Sequence, residues 1–145
     1  MIHHEGTKTT KATKVKRLDL SHRLIGAAIE VHRRLGPGLL EVVYEEALCK
    51  ELSLRGIDYQ RQLGLPVYYK KEMLGCSIKI DLIIDHSVIV ELKSVEKLLP
   101  IHRSQLLTYL RLQNLWLGLL INFNVEVLRD GNPLGAFVVK TLNRS

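Results

Sequence analysis

The segment GCSIKIDLIIDHSVIVELKS, residues 75–94, contains two apolar stretches separated by three polar residues. The stretches, residues 76–84 and 88–93, are rich in isoleucine, leucine and valine, which favour β-strands. The polar residues 85–87 between them are typical of a tight turn. The segment therefore predicts a β-hairpin.

Two carboxylates are expected to face each other across this hairpin. If it is symmetric about the middle residue of the turn, Asp81 lies directly opposite Glu91. Lys93 shares the face of Glu91, because side chains alternate along a strand with a period of two. That face also carries Ile83 and Ile89, and both sides of the hairpin are therefore expected to be buried, as in central strands. The opposite, apolar face consists of Ile80, Leu82, Ile84, Val88, Val90 and Leu92.

Facing carboxylates repel each other, and burial makes each harder to ionise. A shared proton, a cation from the chain or a bound metal would offset this cost. A hard divalent cation such as Mg²⁺ suits the pair, because it takes carboxylate oxygens together with water and phosphate oxygens. The alternative is a structural salt bridge between Lys93 and Asp81 or Glu91. Spacing alone leaves both possibilities open.

The composition is that of one globular domain: 145 residues, of which 46% are hydrophobic and 25% charged. A net charge of +6 mildly favours a polyanionic partner. We expect no membrane span and no signal peptide, because the longest apolar run is strand-sized and the N-terminus is polar, and we expect a cytoplasmic location. The two cysteines lack CxxC spacing, which indicates neither a zinc site nor a disulfide framework.

Residues 1–17 are basic and poor in hydrophobic residues, which predicts a flexible tail before a single domain of residues 18–145. Helical spacing of apolar residues begins near Asp19 and ends at the Gly-Pro-Gly of residues 36–38. A second helix follows and ends at Gly56, and so short a connection predicts that the two helices pack as a hairpin. The expected apolar stripe of the second helix is Leu40, Val43, Tyr44, Ala47, Leu48 and Leu52.

Glu41 borders this stripe, whereas Glu45 and Glu46 are expected to lie further round, towards water. A glutamate in the first turn of a helix is also favoured by the helix dipole, which is a purely structural explanation for Glu41.

Strands are also predicted before the central hairpin, at residues 58–62 and 66–70, with turns at residues 64–66 and 71–75. A final hairpin is expected at the C-terminus, with strands at residues 125–129 and 135–140.

A third helix is expected from Pro100 to about Gln113, followed by an apolar strand at residues 115–123. This crossover unit makes the apolar strand parallel to the second strand of the central hairpin. Gln105 and Tyr109 are four residues apart and share one helix face. They could look towards the acidic pair, or lie half-solvated at the edge of the helix.

These features together resemble the PD-(D/E)XK nuclease superfamily. The resemblance rests on Asp81, on Glu91-Leu92-Lys93 in the next strand, and on Gln105 and Tyr109 in the following helix. Residue Ile80 replaces the proline of the superfamily name, a frequent departure at a position that does no chemistry.

The segment GLLEVVY, residues 38–44, matches the pattern that names the GxxExxY protein family, which is assigned to that superfamily. The resemblance extends from about Leu24 to Phe123. It implies an α/β fold of the α+β mixed-sheet kind: a restriction-endonuclease-like αβββαβ core, here with an N-terminal helical hairpin.

The resemblance implies that Asp81 and Glu91 bind a divalent metal, Mg²⁺ or Mn²⁺, with Glu41 as an additional ligand. Lys93 would be the motif lysine near the attacking water and the scissile phosphate, with an electrostatic and orienting role. The residues expected to support the site or to contact the substrate are Gln105, Tyr109 and Tyr44.

The sequence thus predicts a Mg²⁺-dependent nuclease that hydrolyses phosphodiester bonds, with DNA as the expected substrate. The alternative is a non-catalytic module that binds nucleic acid or a protein partner through the same scaffold. A hydrolase of another phosphoester is a third possibility. No membrane partner is expected, and a homodimer would give a small nuclease two cuts on a duplex. The chain has no P-loop, GxGxxG, GxSxG or HExxH motif, which leaves nucleotide-driven, serine-hydrolase and zinc-hydrolase chemistry unsupported.

Overall fold

The computed structural model describes residues 10–128 and 135–141. Five strands form one sheet in the order β1-β2-β3-β4-β5, in which only β3 and β4 are parallel. This confirms the predicted mixed sheet, its αβββαβ core and the N-terminal helical hairpin. The elements in chain order are α1 (Lys11–Leu35), α2 (Glu41–Leu54), β1 (Tyr59–Tyr69), β2 (Glu72–Ile84), β3 (Val88–Lys93), α3 (Pro100–Gln113), β4 (Leu117–Asn122) and β5 (Ala136–Lys140).

The sheet lies between two helical layers. The α1–α2 hairpin covers one face, where a large apolar cluster includes Leu82, Val90 and Leu119. Helix α3 covers the other face through a smaller cluster that includes Ile83 and Ile89. Strands β3 and β4 are consequently buried on both faces, as predicted from the absence of a polar side in their sequences.

Ile80 departs from the predicted alternation of faces. It is fully buried, but it packs in the cluster under α3 instead of with Leu82 on the α1–α2 side. The change of face occurs next to Asp81, just beyond Leu82, where regular β2–β3 pairing ends. On the other side of β2, the β1 residue opposite Asp81 is Gln62, which has a φ of 49°. The strand therefore does not follow one regular pleat through Asp81.

Helix α1 begins eight residues earlier than predicted. It starts at Lys11, and the Thr10 side chain caps it by accepting a hydrogen bond from the Thr13 amide. The assignment of residues 11–17 to a flexible tail was therefore wrong, and residues 1–9 lie outside the described part of the chain. Lysine and arginine are good helix formers even without an apolar stripe, and the Lys14 ammonium lies 5.0 Å from the centre of the Trp116 ring.

The predicted strands 58–62 and 66–70 are one continuous strand, β1, and β2 begins at Glu72. The turn between them is Lys70-Lys71, in which both residues have positive φ values of 49° and 71°. Such angles are those of a two-residue hairpin turn. Pro66 is tolerated inside β1 because β1 is an edge strand.

The apolar stripe of α2 is narrower than predicted. Tyr44, Leu48 and Leu52 are buried, whereas Leu40 and Val43 are exposed. Residues 125–128 are not a strand, so the predicted C-terminal hairpin is wrong in its first half. Strand β5 pairs with β4 instead, and residues 129–134 lie outside the described ranges. No helix within those ranges is long and apolar enough to cross a membrane.

Candidate active site

The carboxylates of Asp81 and Glu91 lie opposite each other, as predicted. The β2–β3 register pairs Ile84 with Val88 and Leu82 with Val90, so that Asp81 and Glu91 are the next pair. Here side chains replace the regular backbone pairing. The Asp81 amide donates to Glu91 Oε2 at 3.0 Å, and the Leu92 amide donates to Asp81 Oδ2 at 2.9 Å. These bonds engage one oxygen of each carboxylate and leave the other available to a cation.

Both carboxylates are in an environment that opposes their ionisation. Glu91 is only 4% exposed, and burial, reinforced by the charge of Asp81, raises its pKa to about 8. Burial also raises the pKa of Asp81, and the charges of Glu45 and Glu41 raise it further. The backbone hydrogen bonds and the charge of Lys93 lower both pKa values, but they offset only part of this increase. At neutral pH the pair therefore needs a proton or a cation.

Lys93 is the last residue of β3 and is half-buried beside the two acids. Its charge lowers the pKa of each of them. Among the described residues, however, no ion pair joins Lys93 to either carboxylate. The structural salt bridge considered as an alternative is thus not formed.

Helix α2 brings two glutamates towards the pair. Glu41 is exposed in the first turn, and its charge raises the pKa of both Asp81 and Glu91. Glu45 lies one turn further along the same helix face and is buried. The prediction that Glu45 faces water was wrong.

Glu45 is held inside by groups from β1. Its Oε2 accepts hydrogen bonds from the Arg61 guanidinium at 3.0 and 3.1 Å, and its Oε1 accepts one from Gln62 Nε2 at 2.9 Å. Sequence reasoning missed this contact, although the spacing of four residues from Glu41 was an available signal. The contact of Gln62 with Glu45 could not be predicted from the sequence. It depends on the left-handed φ of Gln62 opposite Asp81, which is an irregularity of the folded strand.

Of the two α3 residues for which both placements were open, Tyr109 lies near the acids, whereas Gln105 lies at the exposed edge of the helix. Tyr109 is buried, and burial together with the charges of Glu91 and Asp81 raises its pKa. Gln105 is exposed and hydrogen-bonds to the Tyr109 side chain.

Tyr44 is buried in the apolar cluster between the α1–α2 hairpin and the sheet. Its hydroxyl donates to the Gly36 carbonyl at 2.6 Å and accepts from the Leu39 amide at 3.1 Å. Its ring stacks on Phe123 with the ring centres 4.5 Å apart. Because Tyr44 is fully buried, it can fix the turn that leads to Glu41 but cannot contact a substrate.

Asn122 is a further polar residue that sequence reasoning missed. It is buried at the end of β4, opposite Lys93 in the β3–β4 register. Its Oδ1 accepts from the Val95 amide at 3.0 Å, and its Nδ2 donates to the Val95 carbonyl at 2.9 Å. The side chain thus fixes the path of the chain directly after Lys93. A polar residue closing the apolar run LGLLIN was the available signal.

The donor set fits a hard divalent cation. Within the described residues, no three acidic, histidine or cysteine side chains converge closely enough to form a complete metal site, so Glu41 does not complete a three-ligand set with the pair. Two carboxylates are nevertheless enough for Mg²⁺, which retains waters and binds substrate phosphate.

A mixed sheet with paired carboxylates and a lysine at the end of the next strand is the arrangement expected of the metal-dependent nucleases named above. The family model of the PD-(D/E)XK nuclease superfamily matches residues 18–132. The chain therefore belongs to the PD-(D/E)XK nuclease superfamily. No curated protein and no solved structure matches the chain significantly.

Proposed function

We propose that the protein is a metal-dependent nuclease that hydrolyses phosphodiester bonds of DNA. The observation that carries this proposal is the Asp81–Glu91 pair, half-buried at Asp81 and buried at Glu91, which no described lysine or arginine contacts in an ion pair. Superfamily membership and the net charge of +6 support a polyanionic substrate.

Asp81 and Glu91 would hold the metal through the carboxylate oxygens that do not accept backbone hydrogen bonds, and Glu41 would add negative charge from the first turn of α2. A bound divalent ion supplies positive charge that acidifies a water and neutralises the phosphate oxygens.

Lys93 contributes a second positive charge on the same strand face as Glu91. Its ammonium donates hydrogen bonds to the phosphoryl oxygens, where negative charge grows during attack, and orients the attacking water. Tyr109 and Gln105 lie on the α3 side of the site, where they would position the phosphate backbone.

The proposal is tested with labelled supercoiled, linear, single-stranded and branched DNA and with RNA, each incubated with Mg²⁺, Mn²⁺ or EDTA. Cleavage that requires metal and is lost in Lys93→Ala is expected, with DNA among the substrates. Absence of cleavage by a folded protein that also fails to bind Mn²⁺ would reject the nuclease and favour a non-catalytic binding module.

A further inference from the structure

The distal part of the β1–β2 hairpin extends away from the body of the protein. Leu65 and Ile78 are its last residues in contact with the apolar cluster under α3. Beyond them, residues 66–77, here called the arm, are all exposed except for the half-buried Val67. The arm thus contributes little to the core, and a long exposed hairpin of this kind is more often functional than structural.

The arm carries aromatic and basic side chains at its tip. Tyr68 and Tyr69 are 62% and 63% exposed, and neighbouring strand residues place them on opposite faces. Lys70 and Lys71 form the turn, and the Lys70 ammonium lies 5.6 Å from the centre of the Tyr69 ring. Among the described residues neither lysine is in an ion pair. Exposed aromatic rings beside unpaired lysines suit a ligand that has both flat apolar groups and phosphates.

The arm is poorly suited to pairing with a second copy of the chain. Its edge strand contains Pro66, and the register is broken where residues 74–76 of β2 lie opposite Val67 alone. A proline, a bulge and terminal lysines are devices that prevent pairing between sheet edges. The exposed tyrosines are therefore not explained by sheet extension.

The position of the arm relative to the acidic pair fits an extended substrate. Asp81 lies ten positions after Lys71 along β2, which corresponds to about 30 Å in a strand. The same length of duplex holds roughly nine base pairs. We propose that the arm binds the phosphate backbone of duplex DNA about one helical turn from the bond to be cleaved, through Lys70 and Lys71, with Tyr68 and Tyr69 packed against sugars or bases. The substrate class rests on the proposed function, but the contact is a binding contact and needs no catalysis.

The test measures binding of the full chain in EDTA by fluorescence anisotropy, with a 24-base-pair labelled duplex. The variant Lys70→Asn/Lys71→Gly removes both charges and retains the turn, because Asn-Gly is the preferred pair for it. The matched control, Arg23→Gln/Lys50→Gln, removes two exposed charges from helices α1 and α2.

The arm variant is expected to bind the 24-base-pair duplex about tenfold more weakly, with the slope of log affinity against log salt reduced by about 2. The control should bind the 24-base-pair duplex as tightly as the wild type does. Tyr68→Ser/Tyr69→Ser should weaken binding with the salt slope unchanged.

Equal affinities of the arm variant and the control for DNA would overturn the inference. It would also be overturned if light scattering showed the wild type to be a dimer and the arm variant a monomer, because the arm would then be a self-association surface. Cleavage by the wild type, with Asp81→Asn as the inactive control, separates this outcome from a failure of the proposed function. If the wild type cleaves no DNA but binding still depends on the arm, the proposed hydrolysis is wrong and the arm inference stands. If cleavage is intact but the arm variant binds like the control, only the arm inference fails.

Discussion

The amide of Asp81 donates a hydrogen bond to the carboxylate of Glu91, while the Asp81 carboxylate accepts one from the amide that follows Glu91. Each acidic residue is thereby fixed to the backbone of the opposite strand. The buried Glu91 and the half-buried Asp81 are held together at the centre of the sheet, where mutual repulsion would otherwise separate them. Carboxylates preorganised in this way have the chemistry that a divalent cation prefers.

Metal binding should release a proton, because the pKa of Glu91 without metal is about 8. We expect the apparent affinity for Mn²⁺ to rise by up to about tenfold per pH unit between pH 6 and 8, and to level off above pH 8. Isothermal titration calorimetry in two buffers with different ionisation enthalpies measures the released proton directly. An affinity that is constant from pH 6 to 9 would contradict a protonated Glu91.

The metal-free protein should lose stability as the pH rises. The pKa of Glu91 is about 8 in the folded chain and 4.5 ordinarily, so between these values the folded state binds more protons than the unfolded state. The free energy of unfolding therefore falls with rising pH through this window. Glu91→Gln should remove most of this dependence and be more stable than the wild type at pH 8, by about 2 kcal/mol.

Urea unfolding in EDTA at pH 6 and pH 8 tests this. Glu72→Gln is the control, because Glu72 is an exposed acid on the neighbouring strand. If Glu91→Gln and Glu72→Gln shift the pH dependence equally, the burial of Glu91 is not its cause.

Tyr44→Phe should destabilise the fold by about 1–2 kcal/mol, because the Gly36 carbonyl and the Leu39 amide lose their partner while the stack on Phe123 remains. Tyr68→Phe, at an exposed position, should change the free energy of unfolding by less than about 0.5 kcal/mol. Chemical denaturation of the two variants compares them. Equal stability would mean that the Tyr44 hydroxyl does not hold the turn before α2.

Arg61→Gln should lower the free energy of unfolding by about 2 kcal/mol or more, because it leaves the buried Glu45 carboxylate without its main partner. Arg55→Gln removes a comparable ion pair with Glu51, but on the surface of one helix, and should cost less than about 1 kcal/mol. Thermal unfolding of the two variants distinguishes these effects. The Arg61 variant should also bind Mn²⁺ more tightly, because it removes the positive charge that neutralises Glu45 near Asp81. An unchanged affinity would mean that the Glu45–Arg61 contact does not affect the site.

The centre of the site was predictable because local spacing determines it. Alternation of side chains and a three-residue turn place Asp81 opposite Glu91, and burial of both strand faces follows from their apolar sequence. The helix α3 itself was also predicted, but whether Tyr109 faces the pair was left open. No tertiary contact needed to be known for the features that were predicted.

One feature that sequence reasoning missed, the burial of Glu45, depends on contacts between distant elements. Glu45 is buried because Arg61 and Gln62, sixteen or more residues later, reach it from β1. Pro66 and its neighbours read as a turn, but an edge strand tolerates a proline. The early start of α1 depends on the Thr10 cap, and residues 11–17 lack the periodic apolar residues that would have predicted a helix there.

The most direct test of the central claim compares cleavage of DNA in Mg²⁺ by the wild type, Asp81→Asn and Asp85→Asn. Both variants make the same chemical change on the same hairpin, and Asp85 lies in the turn with a φ of 50°, which asparagine tolerates well. We predict wild-type cleavage for Asp85→Asn, and cleavage at least roughly 100-fold slower for a folded Asp81→Asn. Cleavage by Asp81→Asn at the wild-type rate would show that the Asp81–Glu91 pair is not the active site.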